Sequence, residues 1–80
     1  QYPEPMPPPL IVATVLGHTD VVVALLEMRA NPSLVFINGN TALHYAAKYG
    51  YGEIAKMLIF SGASPDVRNT AGQTPMDLAA

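Results

Sequence analysis

Eighty residues are enough for one small domain. Half are hydrophobic and only 12% charged, too apolar a mix for a disordered tail and a lean one for a free-standing surface. Four basic against six acidic side chains give a net charge of −2, and Arg29, Lys48, Lys56 and Arg68 are scattered, which argues against a nucleic-acid partner. With no cysteine there are no disulfides or thiolate metal sites, and no Asn-x-Ser/Thr acceptor is intact, since Asn31 precedes Pro32.

The chain opens with Gln1 to Pro9, QYPEPMPPP, too rich in proline for helix or ladder pairing and therefore extended. Residues 1–7 read as a leader or linker. The P-x-x-P at Pro5 to Pro8 fits a ligand for an aromatic groove, and folding of Tyr2 and Met6 over the first helices as a cap is a further option. Pro7 to Leu16 is apolar, yet no basic residue precedes it and Gly17-His18-Thr19-Asp20 interrupts it, against a signal peptide. No run reaches the roughly 18 apolar residues that span a bilayer, so membrane insertion is not expected.

Pro9 suits the first position of a helix, where its missing amide costs nothing, and Leu10 to Leu16 continues that helix to Gly17. Ile11 and Val12 make it apolar on nearly every side, so the expectation is a further repeat or domain packed N-terminal to it. Asp20 is the expected cap of a second helix over Val21 to Met28, with Val22, Leu25 and Leu26 facing the core and Ala30-Asn31-Pro32 ending it. Asn38-Gly39 then tolerates positive φ and predicts a tight hairpin turn.

Thr41 to Gly50, TALHYAAKYG, is punctuated at both ends: Thr41 is a good N-cap and Gly50 a good left-handed stop. Between them Leu43, Ala46 and Ala47 share a stripe whose alanines admit another backbone closely. The next helix runs from Glu53 to Ser61, with Ile54, Met57, Leu58 and Ile59 available to the core, before Gly62 and Pro65 stop it. Asn69 to Gly72 is a second hairpin. Thr74-Pro75 begins another helix with Asp77 in its first turn.

These segments repeat. Gly50 lies 33 residues after Gly17, and the same shift pairs Leu43 with Leu10, Ala46 with Ala13, Glu53 with Asp20, Leu58 with Leu25, Ala63 with Ala30 and Pro65 with Pro32. Forward, it pairs Gly39 with Gly72, Thr41 with Thr74 and Ala46 with Ala79. A period of this length marks one supersecondary unit stacked on copies of itself. Residues 8–40 read as a first unit, 41–73 as a second and 74–80 as the first helix of a third, a window on a longer array.

Thr41-Ala42-Leu43-His44-Tyr45-Ala46-Ala47 and Thr74-Pro75-Met76-Asp77-Leu78-Ala79-Ala80 resemble the ankyrin opening T-P-L-H-x-A-A, and Gly62-Ala63 resembles its second-helix exit. The resemblance covers nearly all of Pro8 to Ala80. It implies an all-α solenoid of stacked helix-turn-helix units joined by projecting β-hairpin loops. For His44 it implies a structural hydrogen bond between helix start and adjoining hairpin. Phe36 departs from the aspartate common there, and either buries against the next repeat or extends an apolar patch.

The resemblance also implies where function lies: on a concave side made by hairpin tips and first helices, which presents side chains to a protein. By register those positions are Val15, Leu16, Ile37, Asn38, Asn40, Lys48, Tyr49, Thr70, Ala71 and Gln73, with Tyr49 as anchor. No catalytic constellation is visible: the two histidines are isolated, the carboxylates dispersed and Gly-rich phosphate loops absent. The expectation is a non-enzymatic, intracellular interaction module, cytoplasmic or nuclear, without cofactor, metal, membrane insertion, nucleic acid or small-molecule substrate. Its partner is another protein or a neighbouring domain of the same chain. The alternatives are an internal docking segment of a larger enzyme, channel or transcription regulator, and a self-associating fragment.

Overall fold

In the computed structural model, which describes residues 6–79, five helices follow one another. They are α1 (Pro9–Val15), α2 (Thr19–Glu27), α3 (Ala42–Lys48), α4 (Gly52–Phe60) and α5 (Pro75–Leu78). Residues 1–5, which include Tyr2 and Pro5 of the proline-rich leader, and Ala80 lie outside the described residues. Met6, the other half of the expected cap, is exposed.

Each of the first two units is a helix pair. Pro9 opens α1, where its lack of an amide loses no bond, and the Pro8 carbonyl accepts from the amides of Ile11 and Val12. Past Leu16, the amides of Gly17 and His18 return to the carbonyls of Thr14 and Ala13, so the last turn closes on itself. Gly50 and Tyr51 make the same two bonds to Ala47 and Ala46 at the end of α3. The period therefore reaches down to single hydrogen bonds.

α1, α3 and α5 lie side by side as an inner layer, while α2 and α4 pair as an outer one. Buried Ala13, Ala42 and Ala46 keep the inner helices close, and Leu10, Leu43, Val22, Ile54 and Leu58 fill the space between the layers. Each such aliphatic side chain contributes about 1.5 to 3 kcal/mol by leaving water. The Thr14 hydroxyl, fully buried, donates to the Leu10 carbonyl at 2.8 Å and so brings no unpaired polar group into the core.

Two expectations are corrected. Asp20 does not cap α2: the capping position is His18, no side chain caps there, and Asp20 sits within the first turn. The tight closure around Gly17 starts the helix before Asp20, whose carboxylate is left to act on the helix dipole. Ile59 is not a core residue and is 48% exposed. Ile54 and Leu58 share the stripe that is buried, and Ile59 sits about 100° farther round the helix.

The loops between units are hairpins reduced to their turns. In the first, a single antiparallel bridge joins Val35 to Thr41, and a short 3₁₀ turn spans Ile37–Gly39 with Asn38 at φ 63°. Phe36 donates to the Asn40 carbonyl and accepts from Gly39; 33 residues on, Asn69 does the same with Gln73 and Gly72. The loops stack, the Asn38 carbonyl accepting from both the amide (2.9 Å) and the hydroxyl (3.1 Å) of Thr70. Gly39 permits that approach, since a Cβ there would lie 3.2 Å from the Thr70 nitrogen.

His44 ties loop to helix. Its ring, 0% exposed, lies 2.9 Å from the Gln73 carbonyl through Nε2. A carbonyl oxygen only accepts, so Nε2 carries the hydrogen and Nδ1 is the acceptor. Nδ1 takes the Thr41 amide at 3.1 Å and the Thr41 hydroxyl at 2.9 Å, and Oγ1 in turn accepts the His44 amide. Thr74 and Asp77 build the corresponding reciprocal cap for α5, exposed to water.

Candidate functional site

The inner face of the molecule is formed by α1, α3, α5 and the two loops, and it carries two adjoining grooves. The first is an apolar cleft of about 320 Å³ between α1 and α3, walled by Pro7, Ile11, Val12, Val15, Leu16, Phe36, Tyr45 and Tyr49. The second is a polar groove of about 410 Å³ lined by Asn38, Asn40, Tyr45, Lys48, Asn69, Thr70, Ala71, Gln73 and Leu78. Tyr45 belongs to both.

The expected positions divide between them. Val15, Leu16 and Tyr49 fall on the apolar cleft, and Asn38, Asn40, Lys48, Thr70, Ala71 and Gln73 on the polar groove. Ile37, on the tip of the first loop and exposed, lines neither. Leu16 is 59% exposed and Tyr49 44%, so both offer apolar surface that a partner could cover. Val15, by contrast, is half-buried against the core.

Three tyrosines pack against one another beside the apolar cleft. Tyr45 and Tyr49 stack with centroids 6.5 Å apart and planes within 16°, and Tyr51 tilts against Tyr49 at 5.8 Å. One turn of α3 separates Tyr45 from Tyr49, which sets the stack. The Lys48 ammonium lies 5.7 Å from the centre of the Tyr49 ring, a cation–π placement that draws the one cation lining either groove over the aromatic surface. Tyr51 in turn covers Gly17, where a Cβ would sit 3.2 Å from its ring.

Beyond the register positions, Pro7, Ile11, Val12 and Phe36 wall the apolar cleft and Asn69 lines the polar groove. Tyr45 bridges the grooves, and Leu78 of α5 closes the far end of the polar one. Phe36 packs half-buried against the core and lines the apolar cleft. Asn69 binds the second loop together: its side-chain oxygen accepts the amides of Ala71 and Gln73, and its nitrogen donates to Asn40 and Gln73. An Asn opening a turn was the available signal for that role.

Comparison with known proteins decides the family. A family model described as ankyrin repeats in three copies matches residues 5–69. The chain belongs to the ankyrin-repeat family. Ankyrin repeats are protein-interaction modules, and the repeat itself is a non-catalytic fold. An ankyrin repeat-containing protein of Schizosaccharomyces pombe is 33% identical over 69 residues, 86% of this chain and 33% of the relative. The ankyrin repeat and SOCS box protein 16 of Mus musculus is 44% identical over 62 residues, 78% of this chain and 14% of the relative. A glycerophosphocholine phosphodiesterase of S. pombe is 39% identical over 74 residues, 90% of this chain and 6% of the relative. The chain thus spans a third or less of the length of these relatives. Among the described residues no helix is long and apolar enough to cross a membrane.

Proposed function

We propose that this ankyrin segment docks a protein partner on its inner face, with Tyr49 and Leu16 as the apolar anchors and the polar groove fixing orientation. The observation that carries this reading is the juxtaposition of an open aromatic-walled cleft and a polar groove across one shared tyrosine. Interfaces of this kind concentrate their affinity in a few desolvated aromatic contacts and use polar neighbours for specificity. The reading assigns the chain no catalysis, cofactor, nucleic acid or small-molecule substrate, and an intracellular setting, cytoplasmic or nuclear. It takes 8–40 and 41–73 as the repeat units and 74–80 as the first helix of a third.

A second reading puts a neighbouring part of the same polypeptide on the inner face, making the segment an internal docking element. The small share of its relatives' length that the chain covers favours it. One experiment separates the two: capture from cell extract by the natural full-length protein, compared with the same protein carrying Tyr49→Ala and Leu16→Asp. Loss of a discrete partner with an unchanged melt is the expected result, and Tyr49→Ala alone should weaken that partner by more than about 1 kcal/mol. Recovery of the same partners at the same affinity would remove the inner face as an intermolecular site and leave the internal reading.

A further inference from the structure

The polar groove is lined by amide side chains whose orientations are linked. Asn69 sets this. Its oxygen accepts the backbone amides of Ala71 at 3.0 Å and Gln73 at 2.9 Å, and because an amide N–H can only donate, the orientation of the Asn69 side chain is determined. Its nitrogen therefore points the other way, donating to Asn40 Oδ1 at 2.9 Å and Gln73 Oε1 at 3.2 Å. Both neighbours must meet Asn69 with their oxygens. Their NH₂ groups are turned away from it, and neither donates to a protein group among the described residues. The Asn38 carbonyl is already taken by Thr70, and Lys48 lines the groove with its ammonium over the Tyr49 ring of the adjoining cleft. Among the described residues no carboxylate lines either groove.

We propose that this groove binds a carboxylate side chain of an extended acidic protein segment, and that an apolar residue of the same segment enters the adjoining cleft beyond Tyr45. The proposal rests on the reading of the inner face as a docking surface and names the chemistry of its partner. One cation with two neutral amide donors matches a carboxylate, which carries a single charge and accepts on both oxygens. A phosphate carries nearly twice the charge and is ordinarily met by clustered arginines, which neither groove has. Because the two grooves share one tyrosine ring, anchor and carboxylate stand about two or three residues apart in an extended chain advancing about 3.3 Å per residue.

The test uses synthetic octapeptides in a Gly/Ser background, each with one Leu and one Glu at varied spacing, beside matched peptides with Gln or Lys for Glu. Affinities for the full chain are read by fluorescence anisotropy. Leu/Glu peptides at a spacing of two or three should bind about tenfold tighter than their Gln counterparts, the size of one charge-assisted hydrogen bond. Lys48→Gln should remove most of that preference. Asn69→Asp is the sharper variant: its carboxylate still accepts the two loop amides but cannot donate, so Asn40 and Gln73 turn their NH₂ groups inward. The Glu preference should then vanish, by more than in Ala71→Asp, which adds the same charge without touching the relay. Thermal melts establish that each variant is folded.

Equal binding of Glu and Gln peptides, or a Glu preference that Asn69→Asp leaves intact, would overturn the proposal. Binding that ignores the acid but is lost with Leu16→Asp would overturn it while leaving the docking reading in place. If no octapeptide binds, the proposal falls; the docking reading then survives only where the capture experiment returns a partner that depends on Leu16 and Tyr49.

Discussion

The two helix pairs share one register and differ in what covers them. Val21 and Leu25 of α2 stand 33 residues before Ile54 and Leu58 of α4. Ile54 and Leu58 are sealed, at 2% and 0% exposure, whereas Val21 is 46% exposed and Leu25 half-buried. The side chains are of one kind, so composition does not explain the gap. α2 packs on the flank of α4, and among the described residues no helix packs on the matching flank of α2. In a stacked array, a residue's contribution depends on its neighbour as much as on its own identity.

Substituting matched pairs exposes that difference. Leu58→Ala opens a cavity in a fully covered site and should cost about 2 to 5 kcal/mol in urea unfolding. Leu25→Ala, at the same register, should cost less, about 1 to 2 kcal/mol, because part of its side chain is already in water. Equal costs would contradict the coverage argument.

The starts of α1 and α3 make the second comparison. α3 is held by the Thr41–His44 cap and its tie to Gln73, while α1, with Ile11 in the place of His44, has no side-chain cap at all. His44→Ala leaves the Thr41 amide buried without its partner and cuts the tie to the Gln73 carbonyl, which keeps only its bond from the Asn69 amide. It should cost about 1 to 3 kcal/mol and raise amide exchange at Thr41. Unchanged exchange there would mean that the ring is packing and not a tie.

A third pair lies at the ends of the outer helices. Arg29 and Gly62 both follow their helices in the left-handed region, at φ 65° and 103°, and the amides after them make the same closing bonds. Arg29→Gly should stabilise by about 0.5 to 1 kcal/mol, the relief of backbone strain less the added entropy of the unfolded chain. Gly62→Ala should destabilise by about 1 kcal/mol, since open space around it leaves only the backbone term. Thermal melts of both variants check the opposite signs.

The smallest effect separates the two reciprocal caps, one buried and one in water. The Thr74 amide, and then its hydroxyl, hold the Asp77 carboxyl below its ordinary value of 3.8. A lowered folded value means that the capping contribution is complete above that pH and is lost as the pH falls through the folded value. An NMR titration of the Thr74 amide should show this step, and Asp77→Asn should abolish it. Persistence of the step in Asp77→Asn would assign it to another group.

Much of the architecture was legible because it rests on local chemistry that repeats. Pro9 at a helix start, Thr41 as a cap, Asn38-Gly39 as a turn and the 33-residue shift are statements about backbone conformation, and the backbone obeys them. The misreadings concern what a linear pattern does not contain. Ile59 is as apolar as Leu58, and the packing of α4 against α3 and α2 decides which of them is covered. Asp20 is a fair cap by type, but the closure at Gly17 moves the helix start past it. Arg29 ends α2 in a conformation whose usual signal is glycine. On the inner face, register located exposed positions but missed Tyr45 and Asn69, whose roles come from contacts across about one repeat of sequence.

The central claim is that partners dock on the inner face and not on the outer layer, where Phe60 stands 97% exposed beside Ile59. Amide and methyl NMR spectra of the labelled chain, recorded with a captured partner, test it directly. The account expects the perturbed signals to cluster on Leu16, Tyr45, Lys48, Tyr49 and Gln73. Perturbations gathered on Met28, Ile59 and Phe60, with the tyrosine stack unmoved, would contradict it.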